Sequence, residues 1–399
     1  MIKEAGSVTG AGAINHPIQP SSEFKSFKAR FQSYIDQIPS YLHSVSKKGF
    51  FPHFFLGRFS TLIGRKIVDK EITKVYYRFD GPETLKVAVV RKNEKYKDQS
   101  ACEINLSLFV VSESNNTNKK FTYGELENIR NQLNFPVKGE HVMRVKDQLQ
   151  VRSVKIVKTT GKISVEVKDE KLDKDASAKP EFWEVEQVWK NPESDIAKLT
   201  NSNAERVKES IKEILTKFSK IHSKCENVLV YADQAREAAH HGFIAGALVM
   251  NFRYRSNLRV YLEQFAGRGY ADIVLVPRGD DRSLNAIPII IELKAGKGIV
   301  TTPDDALEQA KGYAKGFQPN VMRVLTTADD ILCVGVNFDH HTPISEIVPV
   351  SRDQEITSLF NEILGSIDER NKDEISEVIL KERIHNNVER IYYTFPGTG

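Results

Sequence analysis

Two carboxylates and one lysine are spaced so that they could hold a divalent metal ion. Asp272 interrupts one apolar, strand-like run, and Glu292 and Lys294 end the next such run. Alternate strand residues project from the same face, so Glu292 and Lys294 are expected to lie together, with Leu293 opposite. If the two runs pair, Asp272 approaches Glu292, and two ionised carboxylates repel unless a cation neutralises them. The spacing therefore predicts a metal site.

The ligand atoms predict which ion is held and what it does. Carboxylate oxygens favour Mg²⁺ or Mn²⁺ over zinc, and the backbone carbonyl of Leu293 is a further candidate ligand. Such an ion binds a phosphate and lowers the pKa of a bound water. Lys294 is expected to orient or activate that water and to offset charge in the transition state. Charged strand ends are common and Glu-x-Lys alone is a weak motif, but the joint pattern with Asp272 is considerably rarer.

This pattern is similar to that of the PD-(D/E)XK nuclease superfamily over roughly residues 231–338. Glu237, in a predicted helix, resembles the helical acid that assists metal binding in that superfamily. Gln309 and Tyr313 lie in a segment that resembles the helix after Glu-x-Lys, whose Gln and Tyr lie near the site. The proline that usually precedes the first acid is replaced by Ala271, a common substitution.

The resemblance implies a fold, an activity and a set of site residues. The fold is of the α/β (α+β) class, a restriction-endonuclease-like core with a central mixed sheet flanked by helices. The activity is a Mg²⁺- or Mn²⁺-dependent endonuclease that hydrolyses nucleic acid, with DNA as the expected substrate. The implied metal ligands are Glu237, Asp272, Glu292 and the Leu293 carbonyl, and the implied catalytic residues are Asp272, Glu292, Lys294 and Gln309.

A narrower resemblance reaches the N-terminal half of the chain. Segments 26–61, 75–81 and 333–338 look like the B component of cytoplasmic-incompatibility factor pairs from intracellular bacterial endosymbionts. The chain resembles one N-terminal nuclease module of such a protein, of the class whose acid–acid–lysine set is intact. This resemblance implies that the protein is the toxin or effector half of a pair and that a helical-repeat antidote protein controls it. It also implies possible delivery into a host cell.

Charge leaves the partner open, because 57 basic residues nearly balance 53 acidic ones. Any positively charged surface that binds a polyanion must therefore be local. Candidate nucleic-acid contacts near the site are His240, Arg268, Lys297, Lys311 and Tyr313. A solvated or packed face is the alternative for each. The sequence leaves open whether the substrate is DNA or RNA and which strand form is preferred. Two other functions also stay open: a non-cleaving module that binds an antidote or host protein, and a repair- or restriction-type enzyme.

The hydrophobic periodicity predicts a mixed α/β order with three regions. Residues 1–22 are expected to be a flexible leader, 23–195 an N-terminal α+β extension, and 196–399 the nuclease-like domain. Helices are predicted at 23–37, 121–132, 203–223, 232–252, 303–317, 352–366 and 373–388. Strands are predicted at 74–80, 85–92, 102–111, 148–157, 162–167, 258–265, 270–277, 287–294, 322–327 and 331–338. The charged segment 168–179 is expected to be a solvated loop.

The remaining composition points to a soluble protein made in a reducing cytoplasm. The three cysteines lack paired spacing, which argues against disulfides and a zinc knuckle and favours reduced, largely buried thiols. The first residues have no apolar core of a secretion signal, and no run is long enough for a membrane span. Segment 339–341, Asp-His-His, is expected to be a loop after a strand rather than a metal site.

Overall fold

The computed structural model describes most of the chain between residues 49 and 351 and a few residues before it. The described residues are 29, 31–32, 35, 49–64, 66–67, 70–81, 83–93, 104–113, 119–133, 149–159, 162–175, 180–185, 188–201, 203–224, 233–248, 258–265, 269–277, 287–296, 298–299, 301–316 and 330–351. The predicted leader, the strand at 322–327, the helices at 352–366 and 373–388, and the candidate residues Arg268 and Lys297 lie outside them.

Within the described residues the chain forms six α-helices and two mixed sheets, which makes it a mixed α/β protein. The helices are α1 (Phe50–Ser60), α2 (Tyr123–Gln132), α3 (Pro192–Ala197), α4 (Ala204–His222), α5 (Asp233–Leu248) and α6 (Pro303–Gly316). The described residues of the predicted helix at 23–37 are also helical. None of the helices in the described ranges has the length and hydropathy that crossing a membrane requires.

The first sheet lies in the N-terminal half. Its strands are β1 (Lys66–Ile67), β2 (Lys70–Phe79), β3 (Thr84–Asn93), β4 (Ile104–Ser112), β5 (Leu149–Thr159), β6 (Lys162–Asp169) and β7 (Trp183–Glu184). They follow the order β1-β2-β3-β4-β5-β6, with β7 paired to β2, and only β4 and β5 run parallel. The two strands predicted at 148–157 and 162–167 are confirmed as β5 and β6, which pair antiparallel. Thr122 caps α2 through a capping box with Glu125.

The second sheet carries the predicted chemistry. It contains β8 (Leu258–Phe265), β9 (Tyr270–Pro277), β10 (Ile289–Leu293), β11 (Asp330–Val336) and β12 (Val348–Ser351) in the order β12-β11-β10-β9-β8. The predicted pairing of the two acid-bearing strands is confirmed, because Ile291 of β10 pairs with Ile273 of β9. That register brings Glu292 to the level of Asp272. Helix α6 lies between β10 and β11, which run parallel, as a crossover connection requires.

Helix α1 explains how the N-terminal half supports this sheet. Every residue of α1 is buried, and its sequence is rich in phenylalanine, as expected for a helix that packs on all sides. Its backbone touches that of α5 at three glycines: a Cβ at Gly57, Gly242 or Gly246 would lie 2.1, 2.2 or 1.9 Å from a carbonyl oxygen of the other helix. The close packing of α1 against α5 therefore requires glycine, which has no side chain, at these three positions.

One continuous core cluster extends from Phe31 in the N-terminal half to Ile347 near the end of the described chain. It includes the apolar face of α4, with Val207, Ile211 and Phe218 at helical spacing. The boundary near residue 195 stays a prediction, since packing is shared on both sides of it. Of the three cysteines, Cys333 is described, and it is free and buried as predicted.

Candidate active site

The two predicted acids interlock across neighbouring strands. The backbone N–H of Asp272 on β9 donates to Glu292 Oε1 at 2.8 Å, and the backbone N–H of Leu293 on β10 donates to Asp272 Oδ2 at 2.8 Å. Each carboxylate thus has one oxygen fixed by the other's strand and a second oxygen outside this pair of bonds. Glu292 is only 1 % exposed. The predicted proximity of the two acids is confirmed, while their roles stay predictions.

The electrostatics of this pair are unfavourable without a cation. Burial raises the pKa of Glu292, and the neighbouring Asp272 carboxylate raises it further. Burial also raises the pKa of Asp272, and the carboxylates of Glu263 and Glu237 add to that rise. Lys294 acts in the opposite direction on both acids but does not reverse either shift. Buried acids of like charge are a frequent property of functional sites.

Lys294 is held by the helix that follows it in sequence. Its Nζ donates to Gln309 Oε1 at 2.6 Å, and Gln309 Nε2 donates to the hydroxyl of Tyr313 at 2.8 Å. Gln309 and Tyr313 are one turn apart on α6, so a single helix face fixes both. The Tyr313 hydroxyl also lies against the start of β9, since a Cβ at Gly269 would be 2.7 Å from it. The structure thus brings together Lys294, Gln309 and Tyr313.

His240 supports the turn after β10. Its Nδ1 lies 3.3 Å from the Lys294 carbonyl oxygen, and its Nε2 lies 3.8 Å from Asp339 Oδ1. Asp339 Oδ2 in turn accepts from the backbone N–H of Gly296 at 2.8 Å. His240 is 0 % exposed and supports this turn, while its predicted contact with nucleic acid stays a prediction.

A third group at the site escaped the sequence analysis. One ligand atom each of His241, Glu263 and Asp272 lie within 4.8 Å of one another. His241 Nδ1 is 3.5 Å from Glu263 Oε1. Burial lowers the pKa of His241 to about 4, so its ring is neutral at pH 7. Glu263 carried no signal of its own, because only the register of β8 against β9 reveals what it faces.

The other predicted residues lie around this centre without joining that group. Glu237 on α5 is half-buried and close enough to raise the pKa of Asp272. Lys311 on α6 pairs with Glu308 at 2.6 Å on the helix surface. The side chain of Leu293 is buried, and its carbonyl stays a predicted ligand. Their roles with metal or nucleic acid remain predictions.

Searches against models of protein families and against curated proteins found no match for this chain. A functional assignment therefore depends on the motifs and on the geometry of the site.

Proposed function

We propose that the protein is a metal-dependent nuclease of the PD-(D/E)XK type that hydrolyses phosphodiester bonds in nucleic acid, with DNA as the expected substrate. The observation that carries the proposal is the interlocked pair of Asp272 and Glu292, with Lys294 directly after the end of β10. A scaffold has no need of two neighbouring carboxylates that repel one another, because such a pair costs stability. A nuclease needs them to bind a cation.

The residues present fit a divalent cation. The donors are carboxylate oxygens of Asp272 and Glu292, with those of Glu263 and Glu237 close enough to raise the pKa of Asp272. Oxygen donors of this kind suit Mg²⁺ and Mn²⁺. Lys294 does not neutralise the acids itself, since its Nζ donates to Gln309. A bound ion would supply positive charge for the phosphate and a more acidic water.

The chain's own residues supply orientation and charge. Lys294 Nζ is fixed by Gln309 at 2.6 Å, which keeps a cation beside the acids without a salt bridge that quenches it. In that position it stabilises negative charge on a phosphate oxygen during hydrolysis. The bonds between Asp272 and Glu292 lock the ends of β9 and β10, so that both carboxylates stay in place before substrate binds.

The test is cleavage of supercoiled and single-stranded DNA with Mg²⁺, Mn²⁺ or EDTA. Wild type is compared with Asp272→Asn and Lys294→Ala, and with two controls outside the site, Asp169→Asn and Lys198→Ala. We expect metal-dependent nicking that both site variants lose and both controls retain. A folded wild type that cleaves neither substrate with either metal would contradict the proposal.

The narrower proposal, an effector controlled by a helical-repeat antidote, is supported by the resemblance of segments 26–61, 75–81 and 333–338. It is tested with Asp272→Asn, which should keep full affinity for such an antidote while losing cleavage. Retained binding by a protein that never cleaves would instead favour the non-cleaving module. Loss of binding in both forms would overturn the antidote pairing.

A further inference from the structure

We propose that His241, Glu263 and Asp272 form a metal position that takes a divalent transition ion such as Mn²⁺ in preference to Mg²⁺. The three side chains come from α5, β8 and β9, and their ligand atoms lie within 4.8 Å of one another. Two of the three residues are absent from the ligand set that the nuclease motif implies. The catalytic meaning of this position rests on the proposed function, but its metal binding does not.

The backbone brings Glu263 to Asp272. Leu262 pairs with Ile273 and Gln264 pairs with Ala271, so Glu263 lies opposite Asp272 across the two antiparallel strands. Side chains opposite one another project to the same face, and like charges in that arrangement destabilise a sheet. Glu263 is also the one non-glycine with positive φ among the described residues, at 47°. That conformation is unfavourable for a glutamate and persists only where the surroundings hold it.

His241 adds the observation that separates this cluster from a group of surface acids. The residue is 6 % exposed, its Nδ1 lies 3.5 Å from Glu263 Oε1, and its Nε2 is buried without a hydrogen-bond partner. Nδ1 is therefore the ring nitrogen that faces the carboxylates, and it is the expected ligand atom. His241 lies on α5, and the next residue, Gly242, is one of the glycines at which α5 packs against α1.

Another buried histidine shows why burial alone does not make a ligand. Both ring nitrogens of His53 lack hydrogen-bond partners, but His53 stacks on Phe79 at 4.3 Å between ring centroids and lies 5.3 Å from His222. Among the described residues, His53 belongs to no group of three or more side chains that could hold a metal ion. His241, in contrast, faces two carboxylates.

The donor set decides the type of ion. Mg²⁺ strongly prefers oxygen ligands, whereas imidazole suits transition ions, and carboxylates accept both. Asp272 Oδ2 already accepts from Leu293, so Oδ1 is the oxygen without that commitment. An ion at this position would neutralise the repulsion between Glu263 and Asp272 and would be coordinated by His241 Nδ1. Asp272 would then belong both to this position and to the acid pair with Glu292.

The test measures metal binding by the full chain without nucleic acid. Free Mn²⁺ is followed by its electron paramagnetic resonance signal during titration, and Mg²⁺ is then added as competitor. The variants are Glu263→Gln, which keeps shape and removes charge, and His241→Asn. Glu308→Gln and His341→Asn are the matched controls, because both residues are exposed and neither belongs to the cluster. Circular dichroism and melting without metal check that each variant folds.

We expect both cluster variants to weaken Mn²⁺ binding about tenfold or more and both controls to bind as wild type does. Displacement should require Mg²⁺ at well above the Mn²⁺ concentration. If Glu263→Gln folds and binds Mn²⁺ as tightly as wild type, or if Mg²⁺ displaces Mn²⁺ at equal concentration, the inference fails.

The outcome is separable from that of the proposed function. Mn²⁺ bound at this position by a protein that never cleaves nucleic acid would support the inference and overturn the nuclease. Mg²⁺-dependent cleavage without a Mn²⁺ site that depends on His241 would support the nuclease and overturn the inference.

Discussion

Two acids of this protein, Asp195 and Asp272, have opposite electrostatic surroundings. Asp195, at the start of the α3–α4 region, is 7 % exposed and accepts hydrogen bonds from Lys217 at 2.6 Å, Lys198 at 2.9 Å and Trp189 Nε1 at 3.0 Å. Burial alone would raise the pKa of Asp195, but these donors hold it below its ordinary value. Asp272 is surrounded by other acids, and its pKa is raised.

The difference lies in where the cations go. Lys217 donates to Asp195 at 2.6 Å, whereas Lys294 donates at the same distance to the neutral amide of Gln309. The first acid is neutralised inside the protein and therefore stabilises the fold. The second has no cation bonded to it, so its ionised form is unfavourable, and such an acid is retained where a ligand compensates the charge.

The largest effect is expected for Asp272→Asn. The amide can still accept from Leu293 N–H but adds no charge to Glu292 and Glu263, so the protein should unfold at the same temperature as wild type or a higher one. Cleavage should fall on the order of a thousandfold, because a metal ligand at the reacting centre is lost. Thermal denaturation without metal and a nicking assay measure the two effects. A clear fall in melting temperature would remove the contrast with Asp195.

Gly246→Ala should disturb the Asp272 region without changing any charge. A Cβ at Gly246 would lie 1.9 Å from the carbonyl oxygen of Phe54, so α5 and its Glu237 and His241 must shift. We expect a loss of about 3 kcal/mol of unfolding free energy, as for an overpacked core.

Gly312→Ala is the matched control for that substitution. Gly312 lies in α6, and a Cβ there has nothing within 4 Å. Alanine should stabilise this helix by about 0.5–1 kcal/mol. Urea denaturation compares both variants with wild type, and a Gly246→Ala protein as stable as Gly312→Ala would show that the helix crossing is looser than the structure indicates.

The sequence predicted the Asp272–Glu292 pair because its information is local. A short gap between two apolar runs makes them neighbours, and alternation then sets the faces of Glu292 and Lys294. Glu263 could not be predicted, because its register against β9 and its positive φ are set by the folded sheet. Strand β12 was missed since Pro349 disrupts a strand pattern, yet proline is tolerated at the sheet edge where β12 lies.

Long-range contacts were likewise outside the reach of periodicity. The local sequence does not show why Gly57, Gly242 and Gly246 must be glycine. The reason becomes visible only where α1 packs against α5. The same holds for the bond between Trp189 and Asp195, which joins a turn to a short helix that the sequence analysis did not predict. Residues that act through one element were predictable, and residues that act across elements were not.

Asp195→Ala should show the opposite behaviour to Asp272→Asn. It leaves Trp189 Nε1 buried without its acceptor and Lys217 without its main partner, and we expect a loss of about 2 kcal/mol of unfolding free energy. Lys198→Ala is the control, because the side chain is 51 % exposed and its bridge should contribute below about 1 kcal/mol. Neither variant should change DNA cleavage. Equal stability of Asp195→Ala and wild type in urea would show that this acid is not structural.

The contribution of Asp195 should also depend on pH. Its folded pKa is lower than its unfolded one, so the ionised form stabilises the fold. That contribution is fully present above the unfolded value of 3.8 and is lost as the pH falls through the lower, folded value. The difference in stability between wild type and Asp195→Asn should therefore be constant from pH 7 to about 5 and shrink below about pH 4. A difference that grows on acidification would contradict the sign of the shift.

The smallest effect is expected at the end of the chain of bonds that holds Lys294. Tyr313→Phe removes the hydroxyl that accepts from Gln309 Nε2 at 2.8 Å but leaves the bond between Gln309 and Lys294 in place. Loss of one neutral hydrogen bond of about 1 kcal/mol corresponds to a fall in kcat of about fivefold, with KM unchanged. Gln309→Ala frees Lys294 directly and should lower kcat further. If Tyr313→Phe lowers kcat as much as Lys294→Ala does, the Tyr313 hydroxyl itself takes part in the reaction. Its role would then go beyond holding Gln309, the amide that positions Lys294.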